Sequence, residues 1–535
     1  MAAMMVAGAN VMAQVSHGGE PMMNYKPTEG VTVLPTIDNK VYLQQDMDMV
    51  RGSSPLRVGV MQDVNLDSKK CGETMVMRDG TSVWRLAIES PNATFVWPSF
   101  STFELPEGAR LFVYTPDGEF VLGSFDMTNK QDDNTFYTQA LPGSKMVIEY
   151  IEPAEVAGQG HLVIDQVCHG YKDIFRQIVG EPKGALGNAE GDCHINVVCD
   201  EGDDWRLQIR SVVAINIVGR QYSYMCSGTV MNNTNRDRTP YVLTAHHCQD
   251  ISDLPVRRFT TYFGYQATAC ERTTGTTTKS ITGATMLAKK DYSQGSDFLL
   301  LLLKDTIPFS YKPYFAGWDR SNDNPTAGVC IHHPGGDIKK ISFPRSVAKG
   351  SGSYAKFLKV YWFTGSDNKG VTEQGSSGSA LFNADKRVIG QLWAGSSSCT
   401  FMSGNDWYGR LYNSWSGSND STRVKNYLDP LGTNVQTLSG MDYNQDPNAS
   451  IDMASNQSVK VYPNPSKGMV YFDIPETGKA NYKVYDMSGR CVKEGNTVLS
   501  TTTQAVNLST LGNGMYTLVL YTSDNSYTSS IVISK

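Results

Sequence analysis

Three short segments carry the residue types that nucleophilic catalysis needs. In TPYVLTAHHCQD (residues 239–250) an apolar strand ends in Thr-Ala and delivers His246 and His247 at a strand-to-turn junction. Cys248 would pin that turn if it were disulfide-bonded. A general base needs such a rigid mount with its ring open to a cleft, although a His pair alone is more often structural. In GSDFLLLLLK (295–304) Asp297 stands directly before six apolar residues that must form a buried strand. A carboxylate there is costly unless it meets a donor such as an imidazole N–H; the plain alternative is a strand cap. In EQGSSGSALF (373–382) a Gly-Ser-Ser-Gly turn exposes Ser377 just before another strand. Its glycines let a substrate approach and let backbone N–H groups converge on a developing oxyanion; the plain alternative is an ordinary Gly/Ser loop. A zinc site built from His246, His247, His332 and His333 competes with this reading. No acid or cysteine grouping completes a recognised ligand pattern there, so no metal and no cofactor are expected.

The elements around these segments are short strands. Among the 535 residues are 49 Gly and 23 Pro, and apolar runs are brief and alternating, which favours an all-β chain. At this length two to four domains are expected. Hydrophobic residues make up 40%, enough for packed cores, and a net charge of −6 offers no basic face for nucleic acid. No run reaches the ~18 apolar residues of a membrane-spanning helix. The small apolar opening, residues 1–13, ends in Val11-x-Ala13 and reads as a signal peptide without its basic start. Residues 14–183 alternate as a β-sandwich-like domain whose two cysteines, Cys71 and Cys168, could pair. Residues 184–441 hold seven of the ten cysteines and five of the eight histidines. Residues 442–457 are a polar linker, and 458–535 form a small β-domain.

Together the three segments resemble a known family. Their order, His then Asp then Ser, is that of chymotrypsin-type enzymes. Residues 192–441 resemble the bacterial lysyl endopeptidases, through DCHINVVCDEGDDWR, MCSGTVMNNTNRDRTPYVLTAHHC, SDFLLL, FAGWDR, IHHPGGDIKKIS, GVTEQGSSGSALF, KRVIGQLWAGSSSC and DWYGRLYNSW. The resemblance implies a two-barrel serine protease. Ser377 is then the nucleophile, His247 the base and Asp297 its orienting acid, with the Gly375 and Ser377 N–H groups as the oxyanion hole. It implies the disulfides Cys193–Cys399, Cys199–Cys270 and Cys226–Cys248, leaving Cys330 and Cys491 unpaired.

Specificity follows the same resemblance. Trypsin's pocket acid lies six residues before the serine, where this chain has Val371; lysyl endopeptidases place it later, and Asp406 in NDWYGR matches. A carboxylate at the base of a narrow pocket favours an ammonium over a planar guanidinium, so cleavage after Lys is expected, with Arg or mixed specificity the same-fold rival. Trp393 departs from the histidine expected at that strand and bears on substrate binding. The propeptide position of 14–183, and Lys183 in Glu-Pro-Lys-Gly, imply autoprocessing between Lys183 and Gly184. VYPNPSKG, VYDMSGR, LGNGMYTL and IVISK resemble the type IX secretion sorting domains of Bacteroidetes. That implies an extracellular or cell-surface location, with the secretion machinery and lysine-containing proteins as partners. A surface adhesin without catalysis is the rival from another class.

Overall fold

The computed structural model describes residues 17–22, 30–48, 54–131, 134–173, 193–249, 258–271, 275, 279–365, 369–444, 456–474, 478–486, 491–499, 504–521 and 526–535. The expected signal segment and the expected cut between Lys183 and Gly184 lie outside the described residues. The chain divides into two compact units, Met1–Gln445 and Asp446–Lys535.

Alternation along the first region builds two facing sheets. One contains Ser82–Glu89, Lys145–Glu152 and Arg110–Tyr114; the other contains Leu56–Asp67, His161–Gly170 and Phe95–Glu104. Leu86, Ile88, Phe100, Phe103, Val113 and Ile148 fill the space between them, giving the expected sandwich. Cys71 packs against this core, whereas Cys168 sits in a separate cluster with Leu56, Val58 and Met225. The two thiols are therefore free and do not form the pair the count had suggested.

Residues 193–444 fold largely as two barrel-like sheets. In the first, Tyr222–Met231 pairs with Val212–Val218 and Tyr241–Ala245, and Tyr241–Ala245 pairs in turn with Phe298–Leu303. Phe298–Leu303 is flanked by a strand on each side and carries no polar alternation because nearly every side chain is buried. The second sheet runs Lys340–Ser342, Val329–His332, Ala380–Phe382, Val388–Gly395, Asn405–Arg410, Phe357–Trp362 and Pro344–Lys349. Leu243, Phe298 and Leu300 of the first pack with Ile331, Ala380 and Phe382 of the second in one core.

Two pairings cross the boundaries expected from the sequence. Leu56–Asp67 pairs with His161–Gly170 on one side and with Tyr222–Met231 on the other, so one twelve-stranded sheet runs from the first region into the protease. The second region's pairing also continues past residue 441. Met441–Asp442 pairs with Tyr314–Phe315, and the Tyr443 N–H donates to Pro313 O.

The second unit stacks a five-stranded sheet on a three-stranded one around Val470, Phe472, Val484, Leu518 and Ile531. It opens with Asn456–Ser458, paired in parallel with Ser526–Ile533. The side chain of Cys491 lies outside the described residues.

Candidate active site

Three strand ends meet between the barrels. Tyr241–Ala245 ends at the His246–Cys248 turn, Phe298–Leu303 begins after Asp297, and Ala380–Phe382 begins after the Ser377 turn. Asp297 adopts φ +57, a conformation rare for a residue other than glycine. The cost is recovered in three bonds. Its carbonyl accepts the His246 N–H at 2.9 Å, Oδ1 accepts the His247 N–H at 3.1 Å, and Oδ2 lies 2.6 Å from His247 Nδ1. Burial pushes the Asp297 carboxyl up, opposed by the adjacent His247. With Nδ1 committed to the acid, His247 Nε2 is buried and has no hydrogen-bond partner among the described residues.

The serine turn is anchored at several points. Ser377 O accepts from the Ser227 N–H at 2.8 Å, and Ser227 Oγ donates to Gly375 O at 2.9 Å. Gly375 has φ +90, and a Cβ there would stand 2.7 Å from both Gly336 N and His333 O, so only glycine fits. Neither the Gly375 nor the Ser377 N–H donates to another group among the described residues. Ser376, its neighbour, turns inward instead: Oγ lies 2.7 Å from His332 Nδ1 and accepts the Glu373 N–H at 3.2 Å. His332 Nε2 lies 2.9 Å from Ser342 Oγ, so both its ring nitrogens are engaged in holding the turn. His333 Nδ1 faces Asp337 O at 2.8 Å, and its ring stacks on Tyr265.

Cysteines brace the same region. Cys226 and Cys248 are bonded, with Cα atoms 6.4 Å apart, linking the strand that holds Ser377 to the residue after His247. Cys193–Cys399 and Cys199–Cys270 are also bonded, and Cys330 is free and buried. Among the described residues, the only cluster with metal-ligand spacing is Cys193, His194 and Cys399, and its two sulfurs are already used in a disulfide.

Asp406 lies in the second barrel and is 1% exposed. Its Oδ2 accepts from Trp362 Nε1 and Thr372 Oγ1, both at 2.5 Å, and from Ser397 Oγ; Oδ1 accepts the Ser397 N–H at 3.3 Å. Burial raises this carboxyl even so. Oδ1 is the less occupied oxygen. It lies under Gly395, where a Cβ would come within 1.7 Å. Sequence reasoning named Asp406 but not its donors Trp362, Thr372 and Ser397, which come from three separate segments. Trp393 stacks between Phe357 at 4.4 Å and Tyr292 at 5.1 Å. Val371 is buried.

Comparison with known proteins bears on this geometry. Residues 187–409 match the family model "Lysyl endopeptidase, C-terminal domain". This region is thus similar to lysyl endopeptidases. A curated lysyl endopeptidase of Pseudomonas aeruginosa is 27% identical over 280 residues, covering 49% of this chain and 58% of that protein. The chain thus spans under two thirds of that relative. Among solved structures, a thermostable serine protease from an extremophilic microorganism is 12% identical with a TM-score of 0.29, covering 38% of this chain and 91% of its own. A Glu endopeptidase is 17% identical with a TM-score of 0.26, covering 38% and 85%. Residues 460–534 match the secretion system C-terminal sorting domain, so the chain carries a tail that directs it out of the cell. Among the described residues no helix is long and apolar enough to cross a membrane.

Proposed function

We propose that the protein is a serine endopeptidase that cleaves on the C-terminal side of lysine and is made as an autoprocessed precursor. The buried Asp297–His247 pair, with His247 Nε2 left unbonded, carries this reading. Ser377 Oγ attacks the scissile carbonyl while His247 Nε2 takes its proton. The N–H groups of Gly375 and Ser377 receive the oxyanion. His247 then protonates the leaving amine, the carbon–nitrogen bond breaks, and an acyl group remains on Ser377. Water, deprotonated by His247, releases the acid product and restores the serine. Asp297 keeps the imidazole in the tautomer with a bare Nε2 and offsets its charge when protonated.

Lysine selection rests on Asp406. A substrate ammonium reaching Oδ1 would meet a fixed carboxylate whose other oxygen is fully occupied, which suits a compact cation better than a forked one. Export through the type IX machinery follows from the tail, and processing is proposed between Lys183 and Gly184. The test is digestion of a denatured protein mixture with cleavage sites read by mass spectrometry. New C-termini should be lysine. Arginine at equal frequency would replace lysine specificity with the mixed kind, and no cleavage beyond that of a Ser377→Ala control would remove the enzyme reading.

A further inference from the structure

The serine turn is held from a segment that supplies no residue to the reaction. Cys193 is bonded to Cys399, and the next residue, His194, buries its side chain and brings Nε2 to 3.3 Å from Glu373 Oε2. Glu373 stands four positions before Ser377. Its other oxygen, Oε1, accepts the Cys399 N–H at 2.9 Å. One carboxylate therefore ties together the segment at residue 194, the loop carrying Cys399 and the start of the turn.

From Glu373 the contacts pass into the turn and come back. The Glu373 N–H donates to Ser376 Oγ at 3.2 Å, and the Ser376 N–H donates to Glu373 O at 3.1 Å, so residues 373–376 close a tight loop that contains Gly375. Ser376 Oγ lies 2.7 Å from His332 Nδ1, and His332 Nε2 lies 2.9 Å from Ser342 Oγ. Ser342 ends the strand Lys340–Ser342, in which Ile341 and Lys340 pair with Ile195 and Asn196. Those two residues directly follow His194. The path is a closed ring: His194, Glu373, Ser376, His332, Ser342 and back through the strand pairing. The His194 and His332 rings meet edge to face across it, with centroids 5.9 Å apart.

The ring has a rigid mount. Lys340 Nζ donates to Asn196 Oδ1 and Asn196 Nδ2 to Cys270 O, both at 2.7 Å, and both side chains are buried. Cys270 is bonded in turn to Cys199. An oxyanion hole is effective when its donors are fixed in advance, because turning them during the reaction adds to the barrier. Gly375 lies inside the loop that Glu373 and Ser376 close, and Ser377 directly follows it. A carboxylate so near the hole would also oppose the developing oxyanion if it were loose; His194 and the Cys399 N–H occupy its two oxygens.

Resting on the protease reading above, we propose that His194 and Glu373 are a positioning pair for the oxyanion donors. Neither touches substrate. His194 fixes the Glu373 carboxylate, Glu373 fixes Ser376, and the Gly375 and Ser377 N–H groups take their direction from the loop so held. The pair acts on the transition state more than on the bound lysine, because Asp406 gathers donors of its own from Trp362, Thr372 and Ser397. Its loss therefore falls on kcat and leaves KM nearly as it was.

The test uses the full chain, cut by a tagged wild-type enzyme that is then removed. Kinetics on a lysyl anilide are compared with affinity for two competitive probes. One is a peptidyl lysine aldehyde, whose adduct with Ser377 puts an oxyanion in the hole; the other is butylammonium, which fills only the lysine pocket. His194→Ala should lower kcat and aldehyde affinity by about tenfold or more, with KM within about threefold and butylammonium affinity within about twofold. His194→Gln, whose amide N–H reaches Glu373 as Nε2 does, should stay within about threefold of wild type. His194→Ala combined with Glu373→Ala should lose no more than the worse single change, because both open one ring. The assignment is overturned if His194→Ala keeps kcat within about threefold of wild type, if both probes weaken equally, if His194→Gln is as impaired as His194→Ala, or if the losses multiply in the double variant. If the H194A chain fails to fold, Ser376→Ala opens the ring from the turn side: aldehyde affinity should fall by about tenfold, and affinity within about threefold of wild type overturns the proposal. A wild-type chain that neither cuts the anilide nor takes a fluorophosphonate label instead removes the protease reading.

Discussion

Asp297 engages the two consecutive histidines with its main chain and both carboxylate oxygens: its carbonyl takes the His246 N–H, Oδ1 takes the His247 N–H, and Oδ2 meets His247 Nδ1 at 2.6 Å. The carboxylate therefore fixes the position of the His247 ring, and in the proposed mechanism its tautomer. Asp297→Asn presents an amide N–H or a weaker acceptor to Nδ1 and favours the tautomer whose Nε2 already bears a proton. A loss in kcat on the order of 10³–10⁴ with little change in KM is expected. Steady-state kinetics on a lysyl amide checks it, and a loss below tenfold would remove Asp297 from its role.

The specificity proposed for Asp406 is coupled to stability. Its carboxyl is raised by burial, so the ionised form costs folding free energy. A raised folded pKa means that the contribution of this group is fully present below the ordinary carboxylate range and is lost as pH rises through the folded value. Asp406→Asn should therefore melt higher than the native chain at pH 7, with the gain fading on acidification. The same variant should lose on the order of 10²–10³ in kcat/KM on lysyl substrates. Thermal melts from pH 3 to 7 beside kinetics test both; a variant less stable at every pH would contradict the account.

The parts of this site legible in the sequence are those that a strand announces locally. Asp297 is marked by the six apolar residues after it, His247 by the strand before it, and Ser377 by its flanking glycines. The parts not legible come from long-range register, which no local pattern encodes. Ser376 and Ser377 look alike in sequence, yet one turns onto His332 while the other sits in the turn anchored by Ser227. The Asp406 nest gathers donors from residues 362, 372 and 397. The pairing of Leu56 with Met225 joins segments 169 positions apart. Cysteine parity suggested Cys71–Cys168, but a disulfide needs Cα atoms within about 7 Å, and these two thiols sit in different cores.

His332 and His333 should make the fold acid-sensitive. Burial holds His332 well below its ordinary value and His333 down at about 3. A histidine with a lowered folded pKa contributes stability that is present above its unfolded value near 6.5 and lost as pH falls below it. Each costs about 1.4 kcal/mol per pH unit in that window, and for His333 the window runs down to about pH 3. Urea midpoints measured from pH 7 to 4 should fall steeply. Buried His169, lowered to about 4, shares this window, so His332→Gln, which retains a donor and an acceptor for Ser376 and Ser342, should flatten the slope by roughly a third; an unchanged slope would assign the acid sensitivity elsewhere.

Processing tests the match between site and sequence. If the protease accepts lysine above Asp406, then Lys183 is a substrate within its own chain. It stands in a Gly-rich, apolar-poor stretch that precedes Cys193, the first cysteine of the protease disulfides. Ser377→Ala should accumulate the uncut chain because no nucleophile remains. Lys183→Gln should slow the cut by at least tenfold while leaving Ser377 reactive to a fluorophosphonate, which separates loss of the cleavage site from loss of the enzyme. N-terminal sequencing of the native secreted form should begin at Gly184. A different start, with Lys183→Gln processed at the native rate, would place the cut elsewhere and detach activation from the lysine specificity proposed for Asp406.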